Sequence, residues 1–255
     1  MNGIMMGILG GAVAGGSMAF GSISTIFQPQ KISLEFNSME KIFNFVLCGF
    51  FLAASFSYLN PTLEKNFHGG LTHNYELWSV VAGATAGLLL MLLFIELVHE
   101  RVAKESKNHE SIEKILMLMM HNFPAGMIAG VAMSIHHAGI SYSLLCFIGL
   151  HQLFLGTLGA RNLLSMGLEA ELSLVGSLFI SSIAIISAIL GTVLSQKFVT
   201  LLPVMLAFAG GCYIGIPANE LIEKMKNSSR KIELNPGLFS GMIVTLIFII
   251  WKEFV

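Results

Sequence analysis

Two histidines set deep inside long apolar runs are the residues of this 255-residue chain best placed to do chemistry. His121 opens the hexad His121-Asn122-Phe123-Pro124-Ala125-Gly126, and His151 opens His151-Gln152-Leu153-Phe154-Leu155-Gly156. Each is a histidine, then an amide, then a glycine five residues on. Neutral imidazole is a ligand for zinc and other first-row metals, and an amide adds a neutral donor and acceptor beside it. Pro124 cannot donate to the carbonyl of Met120 and tends to kink a helix. A freed carbonyl beside His121 and Asn122 would make a polar pocket in an otherwise apolar stretch. A single hexad reads more simply as a kinked helix whose histidine bonds a neighbour. Two hexads together reverse that preference.

The elements that must position these residues follow from composition. Hydrophobic residues make up 55% of the chain and charged residues 11%, against about 25% charged in soluble domains. That much apolar surface calls for lipid rather than water. Runs long enough to span a bilayer fall at 3–27, 42–59, 77–98, 112–135, 140–164, 172–194, 201–222 and 236–254; a span needs about 20 such residues. Backbone groups in hydrocarbon must be satisfied internally, so the spans are helices. The expectation is an all-α, polytopic membrane bundle of about eight transmembrane helices, a single domain over residues 1–255 with its surface in the lipid bilayer. The linker between the fifth and sixth spans is only weakly polar, which makes that boundary the softest. The hexads lie near the centres of the fourth and fifth spans, which run in opposite directions. Their histidines are therefore expected at similar depth, facing one another.

Ionisable groups at such depth are costly and read as functional. Net charge is −1, which gives no field for nucleic acid. With the N-terminus outside, eleven of the fourteen Lys and Arg residues fall on one side, among them Arg101, Lys104, Lys224 and Arg230. The positive-inside rule then puts both termini on the extracytoplasmic side. No cleavable signal peptide is evident, because the first apolar run lacks a basic leader and is long enough to span. Gly7, Gly11 and Gly15, like Gly83 and Gly87, occur at four-residue spacing and suit close helix packing. Cys48, Cys146 and Cys212 form no Cys-x-x-Cys pair and read as packing residues. Asn60-Pro61-Thr62-Leu63-Glu64-Lys65 is faintly echoed by Asn219-Glu220-Leu221-Ile222-Glu223-Lys224 at the ends of oppositely directed spans, a pattern that suits an inverted repeat.

With these residues in view, the chain resembles the ZIP (Zrt/Irt-like) metal transporters, especially the bacterial branch. In that family the fourth helix carries His-Asn-x-Pro-Glu-Gly and the fifth a similar His-x-x-Pro-Glu-Gly. Leu52-Ala53-Ala54-Ser55-Phe56 looks like the family's second-helix motif. Leu206-Ala207-Phe208-Ala209-Gly210-Gly211 and Asn219-Glu220-Leu221-Ile222 look like its seventh. The resemblance implies a multi-pass protein of the cell (inner) membrane, a homodimer, that moves a divalent metal, zinc first, toward the cytoplasm. It involves no enzyme chemistry and no cofactor beyond the transiently bound metal ion. The residues it implies as ligands are His121, Asn122, His151 and Gln152.

The departures are equally specific. The family's two glutamates, four residues after each histidine, are here Ala125 and Leu155, and the carboxylate expected on the sixth helix falls near Ala184. A divalent cation without countercharge meets a desolvation penalty that neutral ligands offset only in part. Softer or monovalent ions such as Cu(I) suffer less. Charge would come from Glu220 or Glu96. The alternative reading is a degenerate ZIP-fold protein without metal transport, with a regulatory or structural role or a non-metal solute. His136 and His137, at the outer end of the fourth span, read as interfacial residues before they read as an entrance. His99 and His109 bracket a short basic loop. A metalloprotease fits poorly: His99-Glu100 starts a zincin motif, but its second histidine position is Ala103, and no Gly-x-Ser-x-Gly elbow occurs.

Overall fold

A computed structural model describes residues 3–27, 73–102, 109–134, 138–198 and 201–226. They form α1 (Gly3–Phe27), α2 (His73–Val102), α3 (His109–Ala132), α4 (Ala138–Ser165), α5 (Ala170–Lys197) and α6 (Leu202–Lys226). No strand occurs among the described residues. The expected second and eighth spans lie outside them. Helices α1 to α5 each contain a segment long and apolar enough to cross a bilayer, and α6 contains the shorter apolar stretch Leu202–Gly215.

Large apolar side chains cover much of the outside, while several polar ones are enclosed. Ile4, Ile8 and Phe20 on α1, and Leu178, Phe179 and Ile186 on α5, are exposed, whereas His121, Asn122, His151, Gln152 and Ser177 are buried. Only a hydrocarbon solvent makes that arrangement favourable, because it wets the apolar faces and rejects the polar ones. The protein is a multi-pass membrane protein.

The chain divides into two compact units. The first unites Met1–Glu40 with Phe94–Val199, and in it α1, α3, α4 and α5 all pack on one another. Glycine makes that packing close. The stripe read at four-residue spacing on α1 faces α5: a methyl on Gly7 would come within 2.6 Å of the Ile189 Cα, and one on Gly11 within 2.9 Å of the Ile185 Cα. Hydroxyls stitch the neighbouring seams. Ser22 Oγ donates to the Gly156 carbonyl of α4 at 2.9 Å, and Thr192 Oγ1 of α5 donates to the Gly130 carbonyl of α3 at 2.8 Å. Interhelical hydrogen bonds of this kind add about 0.6 kcal/mol each in lipid, so contact area and fit carry most of the stability.

The weakly polar linker turns out to be a tight reversal. Gly167 adopts φ 84°, the left-handed conformation that ends a helix without steric cost in glycine. Its amide bonds the Leu164 carbonyl at 3.0 Å. Within two more residues the chain enters α5, where the Ser173 amide bonds the Glu169 carbonyl at 2.8 Å.

The second unit unites Lys41–Leu93 with Thr200–Val255. In it the expected glycines again sit at a helix crossing. A methyl on Gly83 of α2 would lie 2.8 Å from the Val204 carbonyl oxygen of α6, while Gly87 meets the Phe208 backbone and Gly211 that of Ala84. Val80 and Ala207 are buried there, with Ala84 packed against them.

Candidate functional site

Helices α3 and α4 run in opposite directions and present His121 and His151 to each other. The Nε2 atoms are 2.8 Å apart, with ring centroids 5.1 Å apart and planes inclined by 57°. One ring donates and the other accepts, so the pair as it stands is held by a proton on one Nε2. His121 is 2% exposed and His151 is fully enclosed. Pro124 lies inside α3, one turn beyond His121, and removes the amide that would otherwise bond the Met120 carbonyl.

The adjoining amides are buried as deeply. Asn122 Nδ2 donates to the Ile180 carbonyl of α5 at 3.0 Å and lies 3.0 Å from the Met18 sulfur of α1. Its Oδ1 has no hydrogen-bond partner, and neither Nε2 nor Oε1 of Gln152 has one. A buried amide left unsatisfied costs about 1–3 kcal/mol per group. A protein keeps such groups where another ligand, water or ion completes them. Ser177 Oγ on α5 is in the same condition.

No carboxylate stands with these groups. One turn after each histidine, on the same helix face, come Ala125 and Leu155, and both are buried, as is Ala184 on α5. Leu155 packs with Met18, Leu118, Leu163 and Ile180 in an apolar cluster. Glu96 is exposed on α2 and so is no partner for the buried pair. Glu220 lies on α6, and its side chain falls outside the described residues, as do His136 and His137. Among the described residues no three His, Cys, Asp or Glu side chains gather as a metal-binding group. At the other end of α3, His99 Nδ1 meets Glu113 Oε1 at 3.4 Å, with the histidine 66% exposed. Such a surface pair contributes little.

Met18 is the participant that motif reading missed. The signal available was rhythm: Ala14, Met18, Ser22 and Thr25 recur at three- or four-residue intervals on one buried face of α1. Nothing in a methionine within an apolar run distinguishes a donor from a core residue.

The described residues thus offer two imidazoles nose to nose, an amide with unmet hydrogen-bonding capacity next to each in sequence, and a thioether against one of those amides, none of them formally charged.

The chain resembles a zinc transporter.

It is 26% identical over 200 residues to zinc transporter GufA of Myxococcus xanthus, a match covering 76% of this chain and 79% of that protein. No family model matches the chain. The likeness agrees with a membrane-embedded helical body and with metal-ion transport as its broad class.

Proposed function

We propose that the chain is a ZIP-like metal-ion transporter of the cell membrane. On this reading it carries a divalent metal, zinc by likeness to its relative, toward the cytoplasm between α3 and α4. His121 and His151 supply the imidazole donors, and Asn122 and Gln152 the adjoining amides. The body is a single domain of about eight spans with both termini extracytoplasmic, assembled as a homodimer. The observation that carries the reading is the convergence of two imidazole Nε2 atoms at 2.8 Å in a fully buried setting. An intramembrane pair of ionisable groups marks an ion path by default. Zinc, manganese and iron uptake into proteoliposomes tests it, with native chain set against His121→Ala/His151→Ala. Uptake should vanish in the variant; equal fluxes would sink the site.

A second reading has its own support. Ala125, Leu155 and Ala184 are buried small or apolar side chains where the resembling family places carboxylates. On that reading the chain keeps the fold and has lost metal transport, serving as a structural or regulatory membrane partner. Absence of metal binding by the purified chain, with growth independent of metal supply, favours it.

A further inference from the structure

We infer that the polar cluster around His121 and His151 holds a soft monovalent cation of the copper(I)–silver(I) class more tightly than it holds zinc. The inference rests on the reading that this cluster is on the ion path, and it concerns which ion the cluster prefers.

Charge is the first argument. The energy lost when an ion leaves water scales with the square of its charge, so a divalent ion loses about four times as much as a monovalent ion of equal radius. A site for it needs countercharge close by. Helix α1 has no charged residue anywhere between Gly3 and Phe27, and α5 has none between Glu171 and Lys197. On α3 the formal charge nearest His121 is Lys114, about 10 Å along the axis at 1.5 Å per residue. On α4 the charge nearest His151 is Arg161, about 15 Å along. Neither is a carboxylate, so these two helices bring no acidic side chain within about 10 Å of the histidines along their axes.

Donor softness is the second argument, and it comes from another helix. The Met18 sulfur lies 3.0 Å from Asn122 Nδ2, so a sulfur lone pair is turned toward the amide next to His121. Met18 is completely buried and packs with Leu155. The group standing beside this cluster is therefore a thioether, with an apolar side chain one turn past His151. Thioether donors favour copper(I), whereas carboxylate and water favour harder divalent ions. Zinc in a catalytic or structural site takes four ligands that include His, Cys or a carboxylate; here the structure offers two neutral imidazoles in contact with each other and a thioether on the amide next to one of them, a neutral and softer surrounding that suits a low-coordinate monocation better than zinc.

The test uses purified full chain in detergent, titrated separately with silver(I), a redox-stable stand-in for copper(I), and with zinc(II), under chelator buffering. Site affinity is read as the difference between native chain and His121→Ala/His151→Ala. Silver should bind at least ~10-fold more tightly than zinc, and Met18→Leu, which conserves volume, should weaken silver about tenfold while shifting zinc less than about twofold. X-ray absorption of the silver form should show nitrogen and sulfur scatterers in the native chain and nitrogen alone in Met18→Leu. Zinc binding as tight as silver, or a Met18→Leu variant that holds silver like the native chain, overturns the preference and leaves the ion-path reading standing. Failure of the native chain to bind either metal overturns both.

Discussion

The Nε2 atoms of His121 and His151 are 2.8 Å apart, a separation that suits a hydrogen bond and is too short for two ligands of one metal. Two nitrogens about 2.0–2.1 Å from a tetrahedral zinc stand about 3.3 Å apart. Occupancy must therefore spread the rings by about half an ångström and move the shared proton off Nε2. A structure of the metal-loaded chain should show Nε2···Nε2 at or above ~3.3 Å. A loaded structure with the pair still at hydrogen-bonding distance would mean that the metal sits elsewhere.

Restoring negative charge should raise zinc affinity. Ala125 and Leu155 are one turn past the histidines and buried, so Ala125→Glu/Leu155→Glu places two carboxylates beside the imidazoles. Without metal these unpaired buried acids destabilise the chain. With zinc at a hundred times its dissociation constant, about 2.7 kcal/mol returns by mass action. Calorimetric melting with and without zinc checks this, and a zinc-insensitive Tm in the double variant would argue that these helices do not line the path.

The α1–α4 crossing should tolerate little added bulk. A methyl on Gly156 would lie 2.8 Å from the Met18 carbonyl carbon, and backbone has no rotamer with which to retreat. Gly156→Ala is expected to lower stability by about 1–3 kcal/mol, seen as a fall in Tm in detergent.

Ser22→Ala probes the same crossing with a smaller expected loss. It removes the donor to the Gly156 carbonyl without adding volume, and a lipid-embedded bond of this kind contributes about 0.6 kcal/mol. A loss larger than that of Gly156→Ala in the same melting assay would show that hydrogen bonding outweighs packing here.

His99→Ala serves as a control at the surface. The His99–Glu113 pair is 3.4 Å long with the histidine largely exposed, so its removal should change stability by no more than about 0.5 kcal/mol and leave metal binding untouched.

How much of this could be read beforehand depends on which physical signal each residue carries. The depth match of His121 and His151 was legible because helical rise is constant, so position within each span fixes height in the bilayer. Gly7 and Gly11 announced a contact by spacing, though nothing in that spacing named α5 as its partner. Gly167 ends α4 with a left-handed turn, yet the flanking Met166 and Leu168 are apolar and blur the polarity dip by which a loop is recognised. Met18 was invisible, because its role depends on a fold that brings it to Asn122 from over a hundred residues away. Glu220 and the second and eighth spans were equally legible as pattern, and they lie outside the described residues.

The glycine seams also limit how such a body can move. Where backbone rests on backbone, at Gly7 against Ile189 and Gly156 against Met18, neither helix can ratchet lengthwise without its neighbour's next side chain colliding. Helices α1, α4 and α5 are therefore keyed like teeth. Any shape change that admits and releases cargo has to pivot about these keyed joints or bypass them, because shear along them is sterically closed.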